Sequence, residues 1–161
     1  MIVVDVGAMT HGTDQSVAPL IERFQPELLF AFDPHPDFVE GVERIDGTLV
    51  VSRRAAAWIS DTDVSLKVDG MRTGAVKNGT GDRWEEAFNL ASWLRTLPLD
   101  HEEVVLKLDA EGAEYLLLRD VCDQGLDTRL ARVLVEWHSP EKAHGWHTER
   151  LALRCPLEAW A

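Results

Sequence analysis

The sequence is poor in the features that mark several large protein classes. It has only two cysteines, Cys122 and Cys155, in no zinc-like spacing. That argues against a disulfide-stapled scaffold and fits a reducing compartment with both thiols buried. Basic residues are also scarce. Lysine and arginine total 16 against 28 acidic residues, the formal net charge is −12, and Arg53-Arg54 is the sole adjacent basic pair. This balance opposes nonspecific attraction to nucleic acid or to an anionic membrane, so neither is an expected partner. No apolar run approaches the length of a membrane span, and Met1 leads directly into Ile2-Val3-Val4-Asp5 without a basic leader. A cytoplasmic protein without membrane insertion is therefore expected. The dinucleotide glycine spacing and the lysine-bearing phosphate loop are missing as well.

What is present is an alternation of apolar strands and amphipathic stretches, in a chain whose 161 residues suit one domain with a hydrophobic core. Residues 2–6 form a short apolar run that opens at Gly7-Ala8 into a turn. Val17, Leu20, Ile21 and Phe24 then recur at helical spacing, with Thr13 as the expected N-cap and Pro26 closing the segment. Leu28 to Phe32 reads as a second strand ending at Asp33 and Pro34-His35-Pro36, and Thr48 to Arg53 as a third. Trp58-Ile59 and Val64 to Val68 read as an added strand pair that need not belong to the main sheet, and the glycine-rich stretch 70–81 as a mobile loop. The spacing of Trp84, Ala87, Ala91 and Leu94 predicts a helix ended by Pro98. Leu106 to Asp109 ends a fourth strand, Tyr115 to Val121 forms a short helix, and Val133 to His138 a fifth strand. Ser139 is placed to cap a last helix with Pro140 at its first position, and Leu157 to Trp160 supplies an edge strand. The alternation predicts a parallel α/β sandwich, which collects ligands beyond the carboxyl ends of its strands.

Four acidic strand ends converge on that edge: Asp5-Val6-Gly7, Asp33, Asp109 and Glu136-Trp137-His138. Gly7 and Gly12 allow close approach of backbone to a ligand, and serve equally in an ordinary turn. A carboxylate at Asp33 can accept both hydroxyl hydrogens of a ribose and disfavours a phosphate there. Ala55-Ala56-Ala57-Trp58 offers a flat apolar wall to an adenine, unless Trp58 is core. Glu136 and His138, two apart in a strand, share a side, so His138 is a candidate base with Glu136 as its partner. Asp109 and Glu111 approach from the neighbouring strand end, where these oxygen and nitrogen ligands are equally suited to a divalent metal. His144 and His147 lie one helical turn apart, and without a firm third ligand are assigned to surface or capping roles; Trp137 and Trp146 are assigned to packing.

Together, Val4-Asp5-Val6-Gly7-Ala8, Ala31-Phe32-Asp33-Pro34-His35-Pro36, Lys107-Leu108-Asp109-Ala110-Glu111-Gly112-Ala113-Glu114 and Val135-Glu136-Trp137-His138 resemble the FkbM-type family of S-adenosylmethionine-dependent methyltransferases. The resemblance spans roughly residues 2 to 138, and the block from Lys107 to Glu114 is its most specific part. It implies a class I methyltransferase-like, Rossmann-like, mostly parallel sheet with helices on both faces, and O-methylation of a small-molecule or glycan hydroxyl. It assigns Asp5, Gly7, Ala8 and Gly12 to the cofactor loop, Asp33 to the ribose, and Ala56, Ala57 and Trp58 to the adenine side. The family loop often carries a second glycine one position earlier than Gly12. The short tail after His138 implies a C-terminally shortened sheet, whose open edge makes a homodimer a candidate assembly. Two other functions fit some of these residues: a noncatalytic S-adenosylmethionine-binding or assembly protein, and a nicotinamide-dependent oxidoreductase using Asp33 at ribose.

Overall fold

The computed structural model describes residues 1–8, 16–69, 72–75, 81–138 and 154–160. Its centre is β1 (Ile2–Val6), every residue of which is buried. A strand buried on both faces suits the middle of a parallel sheet covered by helices, and this one pairs in parallel with β2 (Leu28–Phe32) and with β9 (Val104–Leu108). From this pair the chain builds outward in both directions. β4 (Thr48–Arg53) and β3 (Gly41–Ile45) extend the β2 side, while β10 (Arg132–Val135) and β11 (Leu157–Ala159) extend the β9 side. The resulting seven-stranded order is β11-β10-β9-β1-β2-β4-β3, parallel except at β3. The order reverses between β1 and β9, which is where such a sheet opens a ligand crevice.

Side-chain alternation divides the core. Val4, Val6, Leu106 and Leu108 pack with α2 (Leu90–Leu94) and α3 (Glu114–Asp123) on one face. Val3, Leu29, Ala31 and Val105 pack with α1 (Val17–Phe24) on the other. α1 buries Val17, Leu20 and Ile21, the spacing of a helical stripe. The expected helices on both faces are thus observed. The Thr13 cap lies outside the described residues; α1 is preceded by Ser16, which makes no side-chain cap hydrogen bond. Gly12, Ser139, Pro140, His144, Trp146 and His147 also lie outside them.

A second, four-stranded sheet has the order β5-β8-β6-β7, comprising β5 (Ala56–Trp58), β6 (Asp63–Asp69), β7 (Arg72–Ala75) and β8 (Arg83–Asn89). It corrects three expectations. The two strands foreseen around Trp58 and Val64 belong to it but do not pair: β8 lies between them, parallel to β5 and antiparallel to β6. The glycine-rich stretch contains a strand, β7, paired with β6. The helix expected from Trp84 is a strand to Asn89, because β8 takes the central place between two partners and leaves Trp84 60% exposed. Only Leu90–Leu94 is helical, capped by Asn89, whose side chain accepts a hydrogen bond from the Ser92 N–H at 2.6 Å.

The hairpin β3–β4 was not foreseen. Its two-residue turn, Asp46-Gly47, has φ of 48° and 90°, the left-handed pair that an aspartate-glycine turn accommodates between twisted strands. β10 ends at Val135, so Glu136 to His138 lie past the strand rather than within it. β11 forms the expected edge strand, but parallel to β10, and the antiparallel strand of the main sheet sits at the opposite edge. Among the described residues no helix is long and apolar enough to cross a membrane.

Candidate functional site

A cavity of about 440 Å³ opens over the carboxyl ends of the central strands. Its volume lies in the range of small-ligand sites. Val6 and Gly7 border it from β1, Phe32 and Asp33 from β2, Lys107 and Asp109 from β9, Glu136 from beyond β10 and Trp160 from beyond β11. Ala55 to Trp58 form one wall, and Leu66 and Thr73 of the small sheet reach the same space.

Asp33 is held at the tip of β2 by the turn that follows. One of its oxygens, Oδ1, accepts the His35 N–H at 2.7 Å, and the Asp37 N–H donates in turn to His35 Nδ1 at 3.1 Å. Asp33 is only 4% exposed. Burial pushes its carboxyl up to about 6, with the His35 N–H acting in the opposite direction. The adjoining wall is apolar: Ala56 and Ala57 are buried, and the half-buried Trp58 packs against both sheets while bordering the cavity. Trp58 is thus core and cavity wall at once.

The β1 turn is built by contact with β9. Gly7 has φ of 79°, and a Cβ there would lie 1.7 Å from the Asp109 carbonyl oxygen, so only glycine fits. The N–H groups of Gly7 and Ala8 both donate to the Phe32 carbonyl, at 2.8 and 3.2 Å. They are committed to the sheet, and Ala8 is buried in the core beneath α1. Asp5 and Lys107 occupy paired positions on β1 and β9 and are both inaccessible to solvent. Lys107 Nζ lies 3.0 Å from Asp5 Oδ1 and 3.6 Å from Asp109 Oδ2, and donates to the Gly7 carbonyl at 2.9 Å. Burial works against the ammonium charge, yet Asp5 and Asp109 outweigh it and hold Lys107 above its ordinary value.

Behind the β9 edge of the cavity lies an acidic cluster around one imidazole. The turn Glu111-Gly112, with φ of 48° and 110°, brings the chain from β9 back into α3. Glu114, the first residue of α3, is fully buried and accepts the N–H groups of Ala110 at 2.7 Å and Gly112 at 3.1 Å. Its Oε1 also lies 2.9 Å from His138 Nδ1. The other ring nitrogen, Nε2, is 3.3 Å from Glu111 and 3.8 Å from Asp109. The Glu114 hydrogen bond raises the His138 pKa against the effect of burial. Burial also carries Asp109 above the usual carboxylate range, with Lys107 opposing.

Of the residues expected at a cofactor, Gly7, Asp33, Ala56, Ala57 and Trp58 border the cavity, whereas Asp5 and Ala8 lie beneath it. Of those expected at the reaction centre, Asp109, Glu111 and Glu136 border it, and the buried His138 stands behind the first two. The carboxylate in hydrogen-bond contact with His138 is Glu114 rather than the expected Glu136. Trp137, expected in packing, is 38% exposed with its ring 4.8 Å from Tyr115. Cys122 and Cys155 are free and half-buried, not fully buried. Ser16 and Thr73 were not foreseen; both border the cavity, and neither hydroxyl has a hydrogen-bond partner among the described residues.

Fold and site define a mixed, mostly parallel α/β sheet of Rossmann-like type, compatible with nucleotide- or cofactor-binding enzymes. Comparison with family models, curated proteins and solved structures found no match to this chain.

Proposed function

We propose that the protein is an S-adenosylmethionine-dependent methyltransferase that acts on a hydroxyl oxygen of a small molecule or glycan. The observation that carries this reading is the buried Asp33 at the end of β2, bordering a strand-end cavity beside the Ala56-Ala57-Trp58 wall. That arrangement suits a nucleoside with a free ribose diol: the carboxylate accepts its hydroxyl hydrogens, and the apolar wall covers the base. The resemblance of the Lys107 to Glu114 block to FkbM-type enzymes points the same way.

The reacting end of the donor carries a sulfonium charge, and the β9–β10 side of the cavity is lined by Asp109, Glu111 and Glu136. In this reading those carboxylates favour the cationic donor. With His138 behind the cavity wall, Glu136 is the proton acceptor and His138 the group that positions Asp109 and Glu111. Lys107, tied to Asp5 and the Gly7 carbonyl, holds β1 and β9 in the register that aligns donor and acceptor.

Calorimetric titration with S-adenosylmethionine and S-adenosylhomocysteine tests the reading. Saturable binding is expected, weakened by roughly ten-fold or more in Asp33→Ala, as the loss of charge-assisted hydrogen bonds implies. No saturable binding of either compound, or equal binding by Asp33→Ala, would overturn it.

A further inference from the structure

The cluster at the β9 edge of the cavity has the composition of a metal site. Asp109, Glu114 and His138 each offer a ligand atom, and these atoms lie within 4.8 Å of one another. Ligands of a divalent ion sit at about 2.0–2.2 Å from it and hence about 3–4 Å apart, so small side-chain shifts complete the set. His138 contributes nitrogen, which distinguishes this group from a surface patch of acids. With Nδ1 as the ligand atom on the Glu114 side of the ring, the other nitrogen, Nε2, meets the Glu111 carboxylate at 3.3 Å. That is the outer hydrogen bond which fixes a ligating histidine.

Charge and access agree with this. Five carboxylates, those of Asp5, Asp109, Glu111, Glu114 and Glu136, are gathered around Lys107 and His138. Lys107 is shared among Asp5, Asp109 and the Gly7 carbonyl. Carboxylates gathered this closely repel one another in a largely buried cluster, and a divalent cation relieves that repulsion. Glu114 and His138 close the back of the cluster, while Asp109 borders the cavity. Three protein ligands with an open side is the arrangement of a working ion rather than a structural one.

We propose that Asp109, Glu114 and His138 hold one divalent metal ion whose open coordination positions face the cavity and take the acceptor hydroxyl. One nitrogen and two carboxylate ligands suit Mn²⁺ or Zn²⁺ better than Ca²⁺, which prefers an all-oxygen shell. The ion's use on the acceptor rests on the methyltransferase reading; its binding does not. In that use the metal-bound hydroxyl loses its proton to Glu136 and the oxygen attacks the donor methyl carbon. The carbon–sulfur bond breaks with its electrons, leaving a neutral thioether.

The test uses the full chain, stripped with a chelator and titrated with Mn²⁺ alone, followed by calorimetry and by loss of the free-ion paramagnetic signal; Zn²⁺ serves as competitor. One Mn²⁺ per chain is expected to bind saturably. Binding should weaken at least ten-fold in Asp109→Asn and in His138→Ala, and remain unchanged in Glu43→Gln on the exposed β3. Because Glu114 also holds the Ala110 and Gly112 N–H groups, its replacement would disturb the turn. Asp109→Asn, at a partly accessible position and checked by its thermal transition, therefore carries the result. Absence of saturable Mn²⁺ and Zn²⁺ binding, or binding equal to wild type in folded Asp109→Asn, overturns the proposal and leaves the cluster an ion-pair network. Metal binding without donor binding strikes the methyltransferase reading alone, and donor binding without metal binding strikes the metal site alone.

Discussion

Asp33 serves two opposed demands. A ribose is best met by an ionised carboxylate, but burial at the β2 tip pushes the group up from 3.8 to about 6. With its folded-state pKa above the unfolded one, the stabilisation that protonation brings is complete below pH 3.8 and lost as pH rises through 6. At pH 7 the ionised side chain therefore weakens the fold. Asp33→Asn keeps an acceptor oxygen for the His35 N–H and removes the charge. It is expected to stabilise the protein at pH 7 by roughly 1–3 kcal/mol, read as a higher melting temperature. The gain should shrink on acidification and vanish near pH 4, while donor affinity falls. A variant less stable than wild type at pH 7 would contradict this balance of burial over hydrogen bonding.

At the scale of elements, β1 and β9 are joined by more than their ladder. Asp5 and Lys107 face each other across it, with no solvent to screen either. Replacing Lys107 by methionine strands a buried carboxylate and is expected to cost about 3–5 kcal/mol in urea unfolding. The double variant Asp5→Asn, Lys107→Met should recover a large part of that loss, since it removes both charges. Legibility in the sequence also varied by element. β1, β2 and β4 match the expected strands residue for residue, at 2–6, 28–32 and 48–53, because each holds at least three consecutive apolar residues, which leaves little freedom in assignment. β3 escaped notice because none of its residues is buried, although Asp46-Gly47 was a readable turn signal. The helical spacing of Trp84, Ala87, Ala91 and Leu94 holds only over Leu90–Leu94; the neighbours of β8, not its own pattern, make it a strand. The site followed the same rule. Asp33 and Asp109 were legible as strand ends, whereas contact between Glu114 and His138 depends on how α3 begins beside the end of β10. The Asp5–Lys107 pair needed the β1–β9 register, which no single segment contains.

At the scale of the whole molecule, the two sheets are unequally supported. The main sheet is covered by buried clusters on both faces, and β5 and β8 join one of them through Ala57 and Phe88, while among the described residues β6 enters only the small cluster of Ala56, Val64, Leu66 and Ala87 with Trp58 against it. Local opening follows the amount of buried apolar contact. Native-state hydrogen exchange should therefore show β6 amides opening at lower free energy than those of β1 and β9, and equal protection would show that the sheets unfold as one. The cavity gives this inequality a further meaning. Leu66 and Thr73 face it from the small sheet, opposite Gly7, Asp33 and Asp109 of the main one. A molecule seated there acts as a rivet between a firm plate and a looser one, and the slowing of exchange it causes should be greatest in the looser.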